Sequence, residues 1–382
     1  MKLLHLSDLH IGKRVLEFSM LEDQKYILAE IIDICRKESP DAVIIAGDVY
    51  DKPVPGADAV ALFDSFITEL SGICKNVFII SGNHDSGERL AFASKLIQSS
   101  GVYFSTVYSG NIEPVRICDK YGPVDFYLIP FVKPPMVRRF FENDDINSYN
   151  DAVKAIIGSI TLDSRVRNVA IAHQFIFGAE RSDSEEPTSV GGIEDVDASL
   201  FEKFDYTALG HIHRPQFVHS ENIRYSGTPL KYSASEAGHT KSVCIVTLEE
   251  KGSVNIRMIP LSPLRDMRIL RGSYEELMSP KSYSGTNTED YIHIVLTNES
   301  EIPNALGKLR SVYPNIMSFK YDCLRFSYGS DTDTISADPE MSPAELFAKL
   351  YESQNNAKMT AKQTKIIDEI CEEIFTEGAF EK

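Results

Sequence analysis

Five short apolar runs, each stopped by residues of the kind that bind metal ions, constrain this chain more than anything else in it. "LLHLSDLH" ends in Asp8 and His10, "AVIIAGDVYD" in Asp48 and Asp51, "VFIISGNHD" in Asn83, His84 and Asp85, "VAIAH" in His173, and "YTALGHIH" in His211 and His213. The first three alternate with segments of helical period: "LEDQKYILAEIIDICRKE", where Leu28, Ile31, Ile32 and Cys35 keep helical spacing, then "ADAVALFDSFITEL" and "GERLAFASKLIQ". This β-α-β-α-β-α order predicts an α/β layer fold with helices covering a sheet. Ligands of open α/β sheets sit at the carboxyl ends of strands, so five strand ends would bring these residues to one edge. Singly, each is weak, since a lone His173 or a His-x-His pair is as readily structural. Their common position after an apolar run argues for one site.

The donor mix narrows the chemistry. Four imidazoles, two carboxylates and an amide oxygen (His10, His173, His211, His213, Asp8, Asp48, Asn83) are too many for one ion and suit two, with one carboxylate shared. Nitrogen and oxygen ligation without thiolate favours Mn²⁺ or Fe over Zn²⁺. Two such ions clamp the attacking and leaving oxygens of a phosphoryl displacement.

The net charge of −17 argues against wholesale attraction to nucleic acid or an anionic membrane, but leaves room for a local basic groove or bound cations. The six cysteines are scattered without a CxxC pair and read as reduced thiols of a cytoplasmic protein. "MKLLHLSDLH" is too short an apolar start for a signal peptide, and no run is long enough for a membrane span. Further strand-like runs follow ("VDFYLIPF", "NVAIAH", "YTALGH", "IRYSG", "SVCIVTL"), then a Pro-containing break over 258–268. Beyond it "YIHIVLT" reads as a strand, "IPNALGKLRSVY" as a helix and "IMSFKYDCLRFSY" as a strand or two. The expected organisation is a body over 1–262, a small α+β domain over 263–330, an acidic linker over 331–341 and a helical tail over 342–382.

The motifs "DLH", "GDVYD", "GNHD", "AH" and "GHIH" together resemble the calcineurin-like metallophosphoesterase pattern. "LIPFVKP", "IAHQFIFGAERSDSE" and "RYSGTPLKYSASEAGHTKS" extend the resemblance, over roughly 1–250, to the SbcD family of bacterial nuclease subunits. The resemblance implies a metallophosphoesterase β-sandwich flanked by helices, a small α+β capping domain for DNA recognition and a C-terminal helical tail. It implies that Asp8, His10, Asp48 and His213 hold one ion, and Asp48, Asn83, His173 and His211 the other. The adjacent His211 and His213 would thus serve different ions. His84 would face the scissile phosphate as a general acid or a charge stabiliser. Asp51 is spaced to orient His84, or else is an ordinary loop cap. The implied activity is Mn²⁺-dependent DNA cleavage in repair, recombination and replication: 3′→5′ exonuclease action on duplex ends, and endonuclease action on hairpins and single strands. A cyclic-nucleotide type of metallophosphodiesterase is the rival. The implied partners are DNA, the SMC-like ATPase SbcC through the tail, and a second copy through the nuclease domain, around residues 57–70 and 87–98.

Other features leave two readings open. Lys52 could contact a phosphate or be a solvated lysine. "VKPPMVRRFF" sets Lys133, Arg138 and Arg139 beside Phe140 and Phe141, suited to a DNA backbone and a stacked base or to a surface loop over a buried Phe pair. "GAERSDSEEPTSVGG" reads as a loop near His173, with no chemistry assigned. The tail carries a wide apolar stripe, Ile366, Ile370 and Ile374 with Ile367, Cys371 and Phe375, that packs on its own domain or lies in a partner's groove; the acidic linker favours the second.

Overall fold

The computed structural model describes residues 1–91, 98–141, 145–185, 195–322, 342–355 and 358–377. The expected linker over 331–341 and residues 92–97, half of the segment 87–98, lie outside the described residues. The chain divides into two compact units, Met1–Met267 and Arg268–Lys382.

The first unit opens with β1 (Lys2–Leu6), a small hairpin of β2 (Arg14–Val15) and β3 (Phe18–Ser19), β4 (Ala42–Ala46), β5 (Val77–Ile80) and β6 (Val102–Ser105). Then come β7 (Val115–Asp119), β8 (Gly122–Ile129), β9 (Arg167–His173), β10 (Tyr206–Gly210), β11 (Gln216–Val218), β12 (Ser220–Tyr225), β13 (Ser242–Leu248) and β14 (Val254–Pro260). They form two six-stranded sheets, ordered β14-β13-β1-β4-β5-β6 and β11-β12-β10-β9-β8-β7. In the first sheet β1, β4, β5 and β6 run parallel, and β13 joins β1 antiparallel from the other side. In the second, β8, β9, β10 and β12 run parallel and the outer strands β7 and β11 antiparallel.

The two sheets share one core. Leu3, Ala42, Ile44, Phe78 and Ile80 of the first meet Phe126, Val169, Ile171, Tyr206 and Ala208 of the second. Val43 and Ile45, which point the other way on β4, are equally buried, so both faces of that strand are covered. That is why "AVIIA" reads as an unbroken apolar run instead of an alternating one. The architecture is therefore a β-sandwich with helices, as the resemblance implied, and not the single covered sheet that the strand-helix alternation alone suggested.

Helix α1 (Leu21–Glu38) buries Ile27, Leu28, Ile31, Ile32 and Cys35, and α2 (Ala57–Ile73) buries Ala59, Phe63, Phe66 and Leu70. A third helix, α3 (Tyr149–Ser159), was not anticipated. It starts on a reciprocal cap between Ser148 and Asp151 and buries Val153, Ile156 and Ile157 in a second core with Tyr127, Ile129 and Leu209.

The second unit holds a three-stranded sheet of β15 (Met267–Gly272), β16 (Tyr291–Leu296) and β17 (Ile316–Tyr321), ordered β15-β16-β17. Leu277, Ile292, Ile294, Leu296, Leu309, Tyr313 and Ile316 form its core. The helix expected over 302–313 is short, Ala305–Leu309. Strand β15 was missed because it follows directly on the Pro-containing break. The tail forms α4 (Pro343–Asn355) and α5 (Ala361–Glu377), linked where Gln363 Nε2 donates to the Tyr351 hydroxyl at 3.0 Å. No helix of the described residues is long and apolar enough to cross a membrane.

Candidate metal centre

The five strand ends do converge, but from both sheets. β1, β4 and β5 of the first sheet deliver Asp8 and His10, Asp48, and Asn83 with His84; β9 and β10 of the second deliver His173, and His211 with His213. Asp8, His10, Asp48, His173, His211 and His213 are all buried, with side chains in direct contact across the sheets. His173 Nε2 lies 3.0 Å and His211 Nδ1 2.9 Å from Asn83 Oδ1, and His10 Nε2 lies 3.1 Å from His213 Nε2. Three overlapping sets could each hold a cation, their donor atoms within 4.8 Å of one another: Asp8, His10 and His213; Asp8, Asp48 and His173; His10, Asp48 and His84.

The backbone shows how tightly the site is drawn. Among the described residues eight non-glycine residues have left-handed φ, and four of them are Asp8 (52°), His10 (44°), Asp48 (49°) and His211 (104°). Such conformations cost about 1–3 kcal/mol each and persist only where the surroundings over-determine them. Two glycines are required by close approach. A Cβ on Gly82 would sit 2.0 Å from Asp48 Oδ1, and one on Gly210 would sit 1.9 Å from Ala46 O of the opposite sheet. Hence the glycine that precedes Asn83 and the one that precedes His211.

Hydrogen bonds fix what each side chain presents. His173 Nδ1 donates to Ala46 O at 2.8 Å, so its Nε2 faces the Asn83 oxygen and, at 3.4 Å, the Asp48 carboxylate. Only a cation can sit between these groups, either a proton on His173 Nε2 or a metal ion in its place. The electrostatics agree. Burial, with the neighbouring charge of Asp48, pushes the Asp8 carboxyl up to about 7. Burial disfavours charge on His173, but Asp48 and Asp8 outweigh it and raise the ring to about 9. Asp48 is held well below the usual carboxylate range, its burial offset by His173, His10 and His84. Burial pushes His10 and His213 well below the usual imidazole range, as neutral ligands require. The His10 Nδ1 atom is buried without a hydrogen-bond partner. These residues fit a pair of divalent cations, which would supply the charge the pocket is built around.

Two side chains have partners other than those expected. The Asp51 side chain does not orient His84: His84 Nδ1 donates to the main-chain O of Asp51 at 2.9 Å, while the Asp51 carboxylate pairs with Lys13 at 2.8 Å. Arg138 is committed internally, its guanidinium donating to Ile146 O at 3.1 and 2.6 Å, and to Asn147 Oδ1 at 3.2 Å. These bonds brace its own loop. Phe141 packs on the core and Phe140 is part-exposed beneath the Arg139 guanidinium, 4.7 Å from the ring centre. Lys52, Lys133 and Arg139 are exposed.

Several residues support the site without being candidates for its chemistry. The buried Gln24 of α1 donates to His10 O at 2.7 Å and accepts from Gly12 N at 2.9 Å, holding the loop after β1. Tyr232, from 208 residues further on, donates to Leu9 O at 2.9 Å. Asp85 accepts from Val49, Tyr50 and Gly82 main-chain nitrogens at 3.1, 2.9 and 2.9 Å, clipping the β4 and β5 loops together. Its place in "GNHD" could have marked it as structural. Ser184 and Glu185, in the loop that had been given no chemistry, both touch His213, at the ring Nδ1 (2.5 Å) and the main-chain N (2.7 Å).

The chain belongs to the calcineurin-like phosphoesterase family, whose model matches residues 1–215. Residues 263–355 match the SbcD C-terminal domain, described as the type 5 capsule protein repressor C-terminal domain, and the two matches together support an SbcD-type metallophosphoesterase. Among solved structures, a dimetal phosphatase from Danio rerio is similar at 13% identity and a TM-score of 0.40, covering 69% of this chain and 96% of that one. The family match gives phosphoester hydrolysis as the activity class, and the donor clusters described above are where divalent metals would be held.

Proposed function

We propose that this chain is a two-metal DNA nuclease, the cleaving subunit of an SbcCD-type repair and recombination complex. The observation that carries the reading is the convergence of Asp8, His10, Asp48, Asn83, His173, His211 and His213 from both sheets, in a chain whose residues 263–355 match the SbcD C-terminal domain. Asp8, His10 and His213 would hold one ion, Asn83, His173 and His211 the other, with Asp48 reaching both. The nitrogen and oxygen donor set favours Mn²⁺ or Fe over Zn²⁺. Such a pair supplies Lewis acidity at a phosphoryl group and a water of lowered pKa.

His84 would act on the substrate directly. With Nδ1 held by Asp51 O and its main-chain N on Asp48 Oδ1 at 2.9 Å, the ring is fixed and Nε2 is the atom left to protonate a leaving oxygen. Lys52, Lys133 and Arg139 would serve the DNA backbone, and residues 263–330 would form the DNA-recognition cap. The tail helices expose Phe347, Leu350, Ile366 and Ile370, between 40% and 48% accessible, which suits an apolar partner groove such as that of the ATPase SbcC. Dimerisation through the nuclease domain is supported by an apolar cleft lined by Tyr50, Val60, Phe63, Ile67, Leu90 and Phe104.

The test is cleavage of end-labelled duplex, hairpin and single-stranded DNA with Mn²⁺, with and without the ATPase and ATP, beside turnover of a cyclic nucleotide. Mn²⁺-dependent DNA cleavage supports the reading. Turnover confined to the cyclic nucleotide replaces it with the small-molecule phosphodiesterase.

A further inference from the structure

We infer that Ser184 and Glu236 form a positioning relay that fixes which nitrogen of His213 faces Asp8 and His10. This deepens the two-metal reading and rests on it. Glu236 is fully buried. One of its oxygens takes the ammonium of Lys241, itself 5% exposed and further bonded to His213 O at 2.8 Å and Thr228 Oγ1 at 2.7 Å. Its other oxygen lies 2.5 Å from Ser184 Oγ. A carboxylate clamped on an ammonium only accepts, so Ser184 donates its single proton to Glu236. The hydroxyl then meets His213 Nδ1, 2.5 Å away, with a lone pair, and Nδ1 must be the nitrogen that carries hydrogen. In the neutral ring Nε2, 3.1 Å from His10 Nε2, is then the unprotonated nitrogen, on the side where a cation would sit. Ser182 does not compete, because its own hydroxyl donates to Glu185 at 2.8 Å. Glu185 in turn accepts the main-chain N–H of His213 at 2.7 Å, so ring and backbone of one residue are held by adjacent positions of one loop. Partners of this kind around a ligating histidine set its tautomer and its orientation.

The experiment uses the full chain with ¹⁵N-labelled histidine. Long-range ¹H–¹⁵N spectra of the metal-free protein, with His213 assigned by its loss in His213→Gln, report the tautomer; Mn²⁺ calorimetry on the same chain reports the ions. The wild type should show His213 with hydrogen on Nδ1. Ser184→Ala should shift it toward Nε2–H and weaken one of two Mn²⁺ sites about 10–100-fold while leaving the other unchanged. Ser184→Thr, which restores the hydroxyl, should recover both. A wild-type His213 carrying hydrogen on Nε2 overturns the relay whatever the variants do. So does a Ser184→Ala chain with the wild-type tautomer and Mn²⁺ affinity. A wild type that shows the Nδ1–H tautomer yet takes up no Mn²⁺ sinks the two-metal reading and leaves the relay standing.

Discussion

The strand-end site and the tail helices violate the ordinary rule of burial in opposite directions. At the site, carboxylates and imidazoles are buried almost completely, and the main chain is bent into left-handed conformations to keep them there. In the tail, Phe347, Leu350, Ile366 and Ile370 are left part-exposed on helices of only 13 and 17 residues. The first arrangement is costly unless a cation offsets the charge, and the second unless a surface covers the apolar stripe. Each departure suits a different partner under the proposed function: a small, hard, positive ligand in one case, and an apolar macromolecular groove in the other.

That contrast can be broken most directly at Asp48. Asp48→Ala should bind less than one full equivalent of Mn²⁺ and lose detectable phosphodiester cleavage; calorimetry showing two intact sites would remove its shared role. A chelator should likewise abolish cleavage and lower the thermal midpoint of the wild type, since an ion at 100 times its Kd adds about 2.7 kcal/mol to stability. An unchanged midpoint would mean that the buried carboxylates balance themselves.

Next in size is His84→Ala, which should retain two ions and lose about 10²–10⁴-fold in turnover. If metal is lost with it, the set of His10, Asp48 and His84 is the true ligand group. Asp51→Asn should disturb the Lys13 pair and leave His84 oriented, because the orienting atom is the main-chain oxygen.

A smaller effect sharpens the contrast away from the metal. Burial opposes ionisation of Asp119, but its bonds to Arg167 and to the amino group of Met1 outweigh this and hold the carboxyl well below the usual range. A depressed folded-state value contributes stability above the ordinary carboxylate value near 4, and that contribution is lost as pH falls below it. Asp119→Asn should cost roughly 1.5–3 kcal/mol at pH 7, from the lost charged hydrogen bonds. The gap between the denaturation curves of variant and wild type should shrink from pH 5 to pH 3. A gap independent of pH would assign the cost to packing.

The smallest effect on chemistry should come from the tail. Truncation after Ser342, or the pair Phe347→Asp and Ile370→Asp, should leave cleavage of short hairpin DNA by the isolated chain unchanged and abolish co-purification with the ATPase. A truncated chain that aggregates would show that the stripe covers the protein's own core.

The site was readable because its ligands follow their strands at once, each run ending where its chemistry begins. What stayed hidden was held by pairs remote in sequence. Ser184 meets Glu236 across 52 positions, and Gln24 meets Tyr232 across 208, with no local pattern to announce either. That the five strands belong to two facing sheets was carried by the family resemblance alone and not by the strand pattern, since both kinds of neighbour bury the same apolar residues. The bonds from Arg138 to Ile146 O were likewise hidden, because a sequence does not show which main-chain oxygens a guanidinium will find. Helix α3 was a different failure: Ser148 with Asp151 three positions on, then Ala152, Val153, Ile156 and Ile157, is a legible start and stripe.

The position of β1 has a consequence for how the molecule comes into being. It lies between β4 and β13, and the Asp8 carboxylate that follows it accepts from the main chain of His211, 203 residues later. At translation rates of about 5–20 residues per second, roughly 10–40 s separate the synthesis of those two residues. During that interval the growing chain has the first sheet's ligands without the full set of the second's, and β1 has one open edge. The set of proposed ligands is therefore complete only once His213 has been made, and β1 keeps that open edge until β13, about 30 residues further on, has followed.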